Sequence, residues 1–219
     1  MPNLNTSHCP LCEGVDCSRF YFDDNKRRFL ICTQCQLVYV MPEYLPCKEF
    51  ELSEYQLHEN SIQDEGYRRF LQRLLTPLIQ SYNISSSTNA IDYGCGPAPA
   101  LATMLAHYDV SDSIYDPFFF PDKSVLQQQY DIITCTEAIE HFHAPHIEWA
   151  VWQGMLKPKG VIAIMTKRVI DKQRFAHWHY KNDLTHVSFF SEATFRFLAQ
   201  RDGYTVEFPT NDVVLLKKV

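Results

Sequence analysis

Three hydrophobic patterns follow one another along the chain. Between Arg19 and Ile31, apolar and polar positions alternate on either side of Asp24-Asn25, which predicts two strands joined by a turn. Further on the period lengthens. Phe70, Leu71, Leu74, Leu75, Leu78 and Ile79 recur at helical spacing and predict an amphipathic helix covering one face of a sheet. Pro77 is expected to kink or end that helix near its last turn. A polar run at Ser85-Ser86-Ser87-Thr88-Asn89 closes the segment. From there to Val219, short apolar strands alternate with helical segments, the pattern of a parallel α/β sheet. The chain thus divides into a cysteine-rich part at 1–47, a helical cover at 48–88 and an α/β domain at 89–219, with no internal repeat.

Composition narrows the class. Apolar residues make up 46% of the 219 positions and charged residues 21%, as in an ordinary globular protein and unlike a disordered one. No apolar run approaches the ~20 residues that cross a bilayer. The start, Met1 to His8, lacks the basic and apolar stretches of a signal peptide, so a cytoplasmic location is expected. A net charge of −6 weighs against nucleic acid as the main partner. With no apolar run of bilayer length, no membrane partner is expected.

In a reducing compartment, eight cysteines point to metal binding or buried thiols before disulfides. Cys9-Pro10-Leu11-Cys12 and Cys32-Thr33-Gln34-Cys35 form two C-x-x-C pairs, and positions 13 to 31 place 19 residues between them. The predicted hairpin in that interval would bring the pairs together. Four thiolates at tetrahedral positions make a closed structural zinc site, with no open position for catalysis. Cys9, Cys12, Cys32 and Cys35 are therefore the expected ligands of a zinc ribbon. Cys17 and Cys47 are spare, and either could replace a ligand. The ribbon is either a folding staple with a docking surface for a protein partner, or a contributor to substrate binding.

The chemistry centres on Ile91-Asp92-Tyr93-Gly94-Cys95-Gly96-Pro97-Ala98, where an apolar strand runs into a Gly-x-Gly turn before a helix carrying Leu101, Met104 and Leu105. Glycines there let the backbone approach a ligand beyond the carboxyl end of the strand. Pro97 removes an N–H that would cradle a pyrophosphate, and Asp92 would repel one. That acid suits the ammonium of an amino-acid moiety, directly or through water. Here the chain resembles the class I S-adenosylmethionine-dependent methyltransferases, whose first motif is acidic-x-Gly-x-Gly-x-Gly. It matches at Asp92, Gly94 and Gly96 and carries Ala98 at the third glycine.

The resemblance extends over about 48–219. It implies that Asp116, ending a second strand at Ser113-Ile114-Tyr115, binds the ribose hydroxyls. Tyr130 to Phe142 resembles the fourth strand and its turn, and is similar in wording to the ubiquinone-biosynthesis O-methyltransferase group. By that likeness Cys135, Thr136 and Glu137 line the methionine and methyl side, with Cys95 in the loop. Met155 to Met165 resembles the turn into a fifth strand, and Thr205–Phe208 with Val213–Leu216 the closing antiparallel pair. Positions 117 to 130 leave only 14 residues between Asp116 and Asp131, so the third strand is shortened or missing. The Phe118-Phe119-Phe120 run is either a stacking wall for adenine or a packed cluster.

The segment from Phe175 to Phe190 is dense in histidines and aromatics and follows the fifth strand. His179 or His186 is the expected base or acceptor anchor, with Trp178 and Tyr180 as walls and His141 as a third candidate. Each has a purely structural alternative. Lys167, Arg168, Lys172 and Arg174 would meet an anionic substrate, or else form a solvated loop.

The expected fold is a Rossmann-like sheet with a small zinc ribbon. The expected function is methyl transfer from S-adenosylmethionine to a small molecule, at oxygen or nitrogen. One alternative is an RNA base methyltransferase gripping RNA through a basic stripe of Lys26, Arg27 and Arg28. The other is a non-catalytic docking protein that retains the cofactor pocket.

Overall fold

The computed structural model describes residues 8–57 and 61–219. The reading of the N-terminal start therefore lies outside the described residues except at His8, and so do positions 58–60 of the helical cover.

The larger sheet has six strands. They are β4 (Asn89–Tyr93), β5 (Ser111–Tyr115), β6 (Tyr130–Thr136), β7 (Leu156–Met165), β9 (Tyr204–Glu207) and β10 (Val213–Lys218), in the order β5-β4-β6-β7-β10-β9. Pairings from β5 through β7 are parallel, while β10 runs antiparallel to β7 and to β9. The central strands are continuous apolar runs because both faces are buried. In β7 the side chains of Ile162 and Ile164 enter one core, and Val161, Ala163 and Met165 the other. This is a mixed α/β, Rossmann-like fold.

Two helices, α2 (Glu65–Ser81) and α3 (Ala100–Ala106), cover the second of those faces. Asp64 caps α2 by accepting from Gly66 N and Tyr67 N. The helix runs on through Pro77 to Ser81, where the sequence suggested a kink or stop. Proline removes one helical hydrogen bond, and burial of Leu71, Leu74, Leu75 and Leu78 holds the last turn in place. On the opposite face lie α4 (Pro145–Met155) and α6 (Glu192–Asp202), together with side chains of the cysteine-rich part. A Ser191–Thr194 capping box starts α6, and Gly203 in the left-handed conformation ends it.

Between β5 and β6 the chain makes only a short 3-10 turn at Lys123–Gln127, and among the described residues no third parallel strand forms. Strand β5 is thereby left as the edge. Its Asp112 carboxylate oxygens are buried.

The smaller sheet is antiparallel. Its strands β1 (Ser18–Asp23), β2 (Arg28–Cys32) and β3 (Val38–Val40) come from the cysteine-rich part, and β8 (Ser188–Phe189) completes it from far along the chain. Val38 pairs with Phe189 and Tyr39 with Ser188. Cys9, Leu11, Cys32, Cys35 and Leu37 share a continuous apolar core with Ile91, Trp149, Trp152 and Phe195 of the larger sheet and its helices. Among the described residues, no helix is long and apolar enough to cross a membrane.

Candidate functional site

The turn after β4 is shaped by two glycines with positive φ, Gly94 at 77° and Gly96 at 62°. Gly94 lies against the segment that follows β6, since a Cβ on it would sit 2.6 Å from Ala138 Cβ. A Cβ on Gly96 would meet nothing within 4 Å, so the loop presents bare backbone to open space there. The loop is tied to β5 through Gly94 N and Cys95 N, which donate to Tyr115 O at 2.8 and 3.3 Å. Asp116 fixes its far side. One carboxylate oxygen accepts from Gly96 N at 3.0 Å, and the other from Phe118 N and Phe119 N at 2.8 and 3.1 Å.

Asp92 supports the loop from below. It is 2% exposed, accepts from Thr134 Oγ1 at 2.7 Å, and burial pushes its carboxyl up to about 6. A direct bond to an ammonium group, one of the two routes the sequence suggested, is thus not what this buried carboxylate is arranged to make. Cys135 is likewise buried. The two-residue period of β6 turns its side chain into the core with Trp149 and Trp152, away from Thr134 and its loop. Thr136 and Glu137 continue toward the strand end.

Beyond β6 the chain turns sharply at Glu137, whose φ is 47°, and makes a 3-10 turn at Ile139–His141. Glu137 and Glu140, three positions apart, both reach Tyr180. Its hydroxyl is hydrogen-bonded to Glu140 Oε1 and lies 3.3 Å from Glu137 Oε2. Thr166 Oγ1 donates to the other oxygen of Glu140 at 2.9 Å. Burial pushes the Glu137 carboxyl up to about 7, against the pull of Lys167. Burial and the charge of Glu137 push Glu140 up to about 8. Two carboxylates this close and this buried do not both ionise readily, so the pair holds a proton near neutrality.

His141 and His186 stand beside this pair, with ring centroids 4.7 Å apart. The Nδ1 of His141 lies 3.1 Å from Thr185 O, and that of His186 2.7 Å from Tyr180 O. A carbonyl can only accept, so both rings carry a proton on Nδ1. In the neutral form Nε2 then keeps its lone pair. Burial, partly offset by Asp183, holds His186 below the usual histidine range. Glu140, His141 and His186 offer donor atoms all within 4.8 Å of one another, a group with the chemistry to hold a divalent cation. Tyr55 of α1 (Lys48–Tyr55) bridges the two halves of the site, its ring 5.4 Å from Phe118 and 5.2 Å from His141.

His179 does not join this group. It is exposed and lines an outer groove with Asp171, Gln173, Arg174, His177 and Trp178. The basic stretch is also dispersed. Lys167 Nζ stands 4.9 Å over the Tyr180 ring, Arg168 donates to Thr210 O and Val213 O, Lys172 lies by Phe20 and Tyr21, and Arg174 is exposed. The Lys26-Arg27-Arg28 stripe is broken too, because Arg27 is buried and Arg28 pairs with Asp23 at 3.1 Å. Glu140, Thr166 and the hydroxyl of Tyr180 were not singled out from sequence. The i, i+3 spacing of Glu137 and Glu140 on a short helical turn was the available signal.

The thiols of Cys9, Cys12, Cys32 and Cys35 converge within 4.8 Å of one another. Cys9 and Cys35 Sγ are 3.5 Å apart, and Cys12 and Cys32 Sγ 3.6 Å. Zinc–sulfur bonds of about 2.3 Å in a tetrahedron require sulfurs roughly 3.8 Å apart, so the group fits zinc closely. Cys17 Sγ stands 3.3 Å from Cys32 Sγ as a fifth, buried thiol, while Cys47 is exposed.

A Gly-x-Gly turn at the carboxyl end of a parallel sheet, closed by an acid on the next strand, defines a Rossmann-like nucleotide-binding protein. A family profile described as a methyltransferase domain matches residues 60–207, and the chain belongs to that family. It is an enzyme, a class I S-adenosylmethionine-dependent methyltransferase. No curated protein matches the chain. Among solved structures, a candidate methyltransferase from Bacillus halodurans C-125 is similar with a TM-score of 0.50 and 15% identity, over 61% of this chain and 70% of that one. Magnesium protoporphyrin IX methyltransferase from Synechocystis PCC 6803, solved with bound S-adenosylmethionine, gives 0.49 and 10% identity over 81% of this chain and 94% of that one. Human N-acetylserotonin methyltransferase, in complex with S-adenosylmethionine, gives 0.49 and 15% identity over 80% and 60%.

Proposed function

We propose that this enzyme methylates an oxygen or nitrogen atom of a small molecule, oxygen by preference, as in the ubiquinone-biosynthesis O-methyltransferase-like group. The observation that carries the reading is the cluster of Glu137, Glu140, Tyr180 and His186, which follows β6 and meets the glycine loop at Ala138. Gly94, Cys95 and Gly96 would hold the cofactor's methionine part with Thr136 and Glu137, while Asp116 would take the ribose. Asp92 would act through the loop it supports. The bare face of Gly96 and the acid beside it suit such a ligand.

When bound, S-adenosylmethionine supplies an electrophilic methyl group on a sulfonium. His186 Nε2 takes the proton of the acceptor, because its Nδ1 proton is committed to Tyr180 O. Tyr180 and the Glu137–Glu140 pair orient the acceptor through a shared proton, and His141 stands as its second anchor. His179 has no part in this scheme. The four thiolates of Cys9, Cys12, Cys32 and Cys35 hold structural zinc, and these free thiols suit the reducing cytoplasm. The division into 1–47, 48–88 and 89–219 is kept, with β8 lending its strand to the ribbon. A second reading places a divalent cation on Glu140, His141 and His186, favoured by their convergent donor atoms. The dispersed basic residues speak against RNA as the acceptor.

The reading is tested with zinc-replete protein in calorimetric titrations with S-adenosylmethionine and S-adenosylhomocysteine, followed by an acceptor screen with and without magnesium or manganese. One-to-one binding is expected. Folded protein that binds neither compound would favour the docking protein.

A further inference from the structure

One side chain of the N-terminal part, Arg27, reaches across to the backbone of the loop that carries Tyr180 and His186. Arg27 is 4% exposed and immediately precedes β2. Its Nη1 donates to Leu184 O at 3.1 Å and His186 O at 3.0 Å. Its Nη2 donates to Asp183 O at 3.1 Å and to Lys181 O. Four carbonyls of one six-residue segment thus converge on one guanidinium. Without a cation their dipoles would face one another unpaired. The arginine is in turn aimed by its own turn. Asp24 Oδ1 accepts from Arg27 N at 2.7 Å and Lys26 N at 3.0 Å, and the Phe29 ring lies 5.3 Å beneath the guanidinium.

The segment is also pinned from two other sides. Val187 N donates to Glu140 O at 2.8 Å, and Val40 N donates to Val187 O at 2.9 Å. Within this frame His186 is fixed twice, by its carbonyl on Arg27 and by its ring on Tyr180 O. Lysine could not substitute, since an ammonium has three donors on one point while the guanidinium spreads five in a plane.

We propose that Arg27 is a positioning residue for methyl transfer: through it the N-terminal ribbon sets the 181–186 segment and so aims the His186 imidazole at the acceptor. The ribbon is then part of the acceptor half of the site, and the cofactor half is independent of this contact. The proposal rests on the acceptor-cluster reading given above.

The test uses full-length, zinc-replete protein with nitrogen-labelled histidine and the variants Arg27→Lys and Arg27→Met. Long-range nitrogen–proton spectra report which ring nitrogen of His186 carries the proton. The wild type is expected to show the Nδ1–H tautomer. Both variants should move His186 toward tautomer averaging while zinc content and S-adenosylmethionine affinity hold. Methylguanidinium should return the Arg27→Met signal toward that of the wild type. With an acceptor in hand, kcat should fall roughly tenfold to a hundredfold. An unchanged His186 signature in the variants overturns the proposal. So does a loss of cofactor affinity that parallels the spectral change, because the effect would then be general. Should Arg27→Met not fold, Arg27→Lys decides alone. If the wild type binds no cofactor, the functional reading falls while the His186 spectrum still judges Arg27.

Discussion

The cofactor half and the acceptor half of the site are assembled in opposite ways. Around Gly94–Gly96 the partners are mostly backbone groups of two adjacent parallel strands, and one carboxylate, Asp116, closes the loop. Around Tyr180 the partners are side chains from Glu137, Glu140, Thr166 and His186, held in turn by Arg27 from the other end of the chain. The first half needs little beyond a correct strand-turn-helix. The second also leans on the N-terminal part through Arg27, so a local change at that contact should reach the acceptor side first.

The strongest way to break this comparison is to disrupt the four-thiol group and the zinc proposed for it. Stripping zinc with a chelator, or Cys32→Ser, should destabilise the protein by roughly 5 kcal/mol or more, enough to unfold a domain of ordinary stability. Because the cysteines share a core with the large sheet, calorimetry should show one transition. A ribbon that melts alone, with the cofactor site intact, would separate the two regions entirely.

His186→Ala sharpens the comparison. Loss of a general base typically costs 10²- to 10⁴-fold, so turnover should fall by about that factor with cofactor affinity unchanged. Gly94→Ala is the mirror image. Its added methyl would meet Ala138 at 2.6 Å with φ at 77°, whereas at Gly96 the same change meets open space. Gly94→Ala should therefore cost about 2 kcal/mol more stability than Gly96→Ala in thermal melts. Both should weaken cofactor binding.

The smallest effect concerns the edge strand. Burial and the charge of Asp92 push Asp112 up to about 8, against the weaker pull of the Ser113 backbone N–H. A raised carboxyl means that the folded state binds the proton more tightly than the unfolded one. Its penalty is absent below pH ~4 and grows as pH rises to about 8. Asp112→Asn should accordingly stabilise the protein by about 2 kcal/mol at pH 8 and by progressively less toward pH 4, as read from denaturant midpoints.

The strand–helix alternation from Asn89 onward, the two C-x-x-C pairs and the short interval after Asp116 were legible because each is local. The interval corresponds to a sheet in which β5 is the edge and no third strand forms among the described residues. What escaped the sequence is non-local. Nothing near Arg27 announces four carbonyls more than 150 positions away, and nothing near Ser188-Phe189 announces a pairing with β3. Cys135 raises a different point. Its neighbours in the motif point to the loop, but strand alternation turns it inward. Among the histidines of one short segment, sequence position could not separate buried His186 from exposed His179, since a short turn sends adjacent side chains to different faces.

The most direct measurement compares zinc-replete wild type and His186→Ala, by calorimetric titration with S-adenosylmethionine and S-adenosylhomocysteine and by turnover of the acceptor found in the screen. One-to-one binding by both proteins, with turnover lost only in the variant, is the predicted result. Folded wild type that binds neither compound would contradict the cofactor half of the account, and full turnover in the variant would contradict the acceptor half.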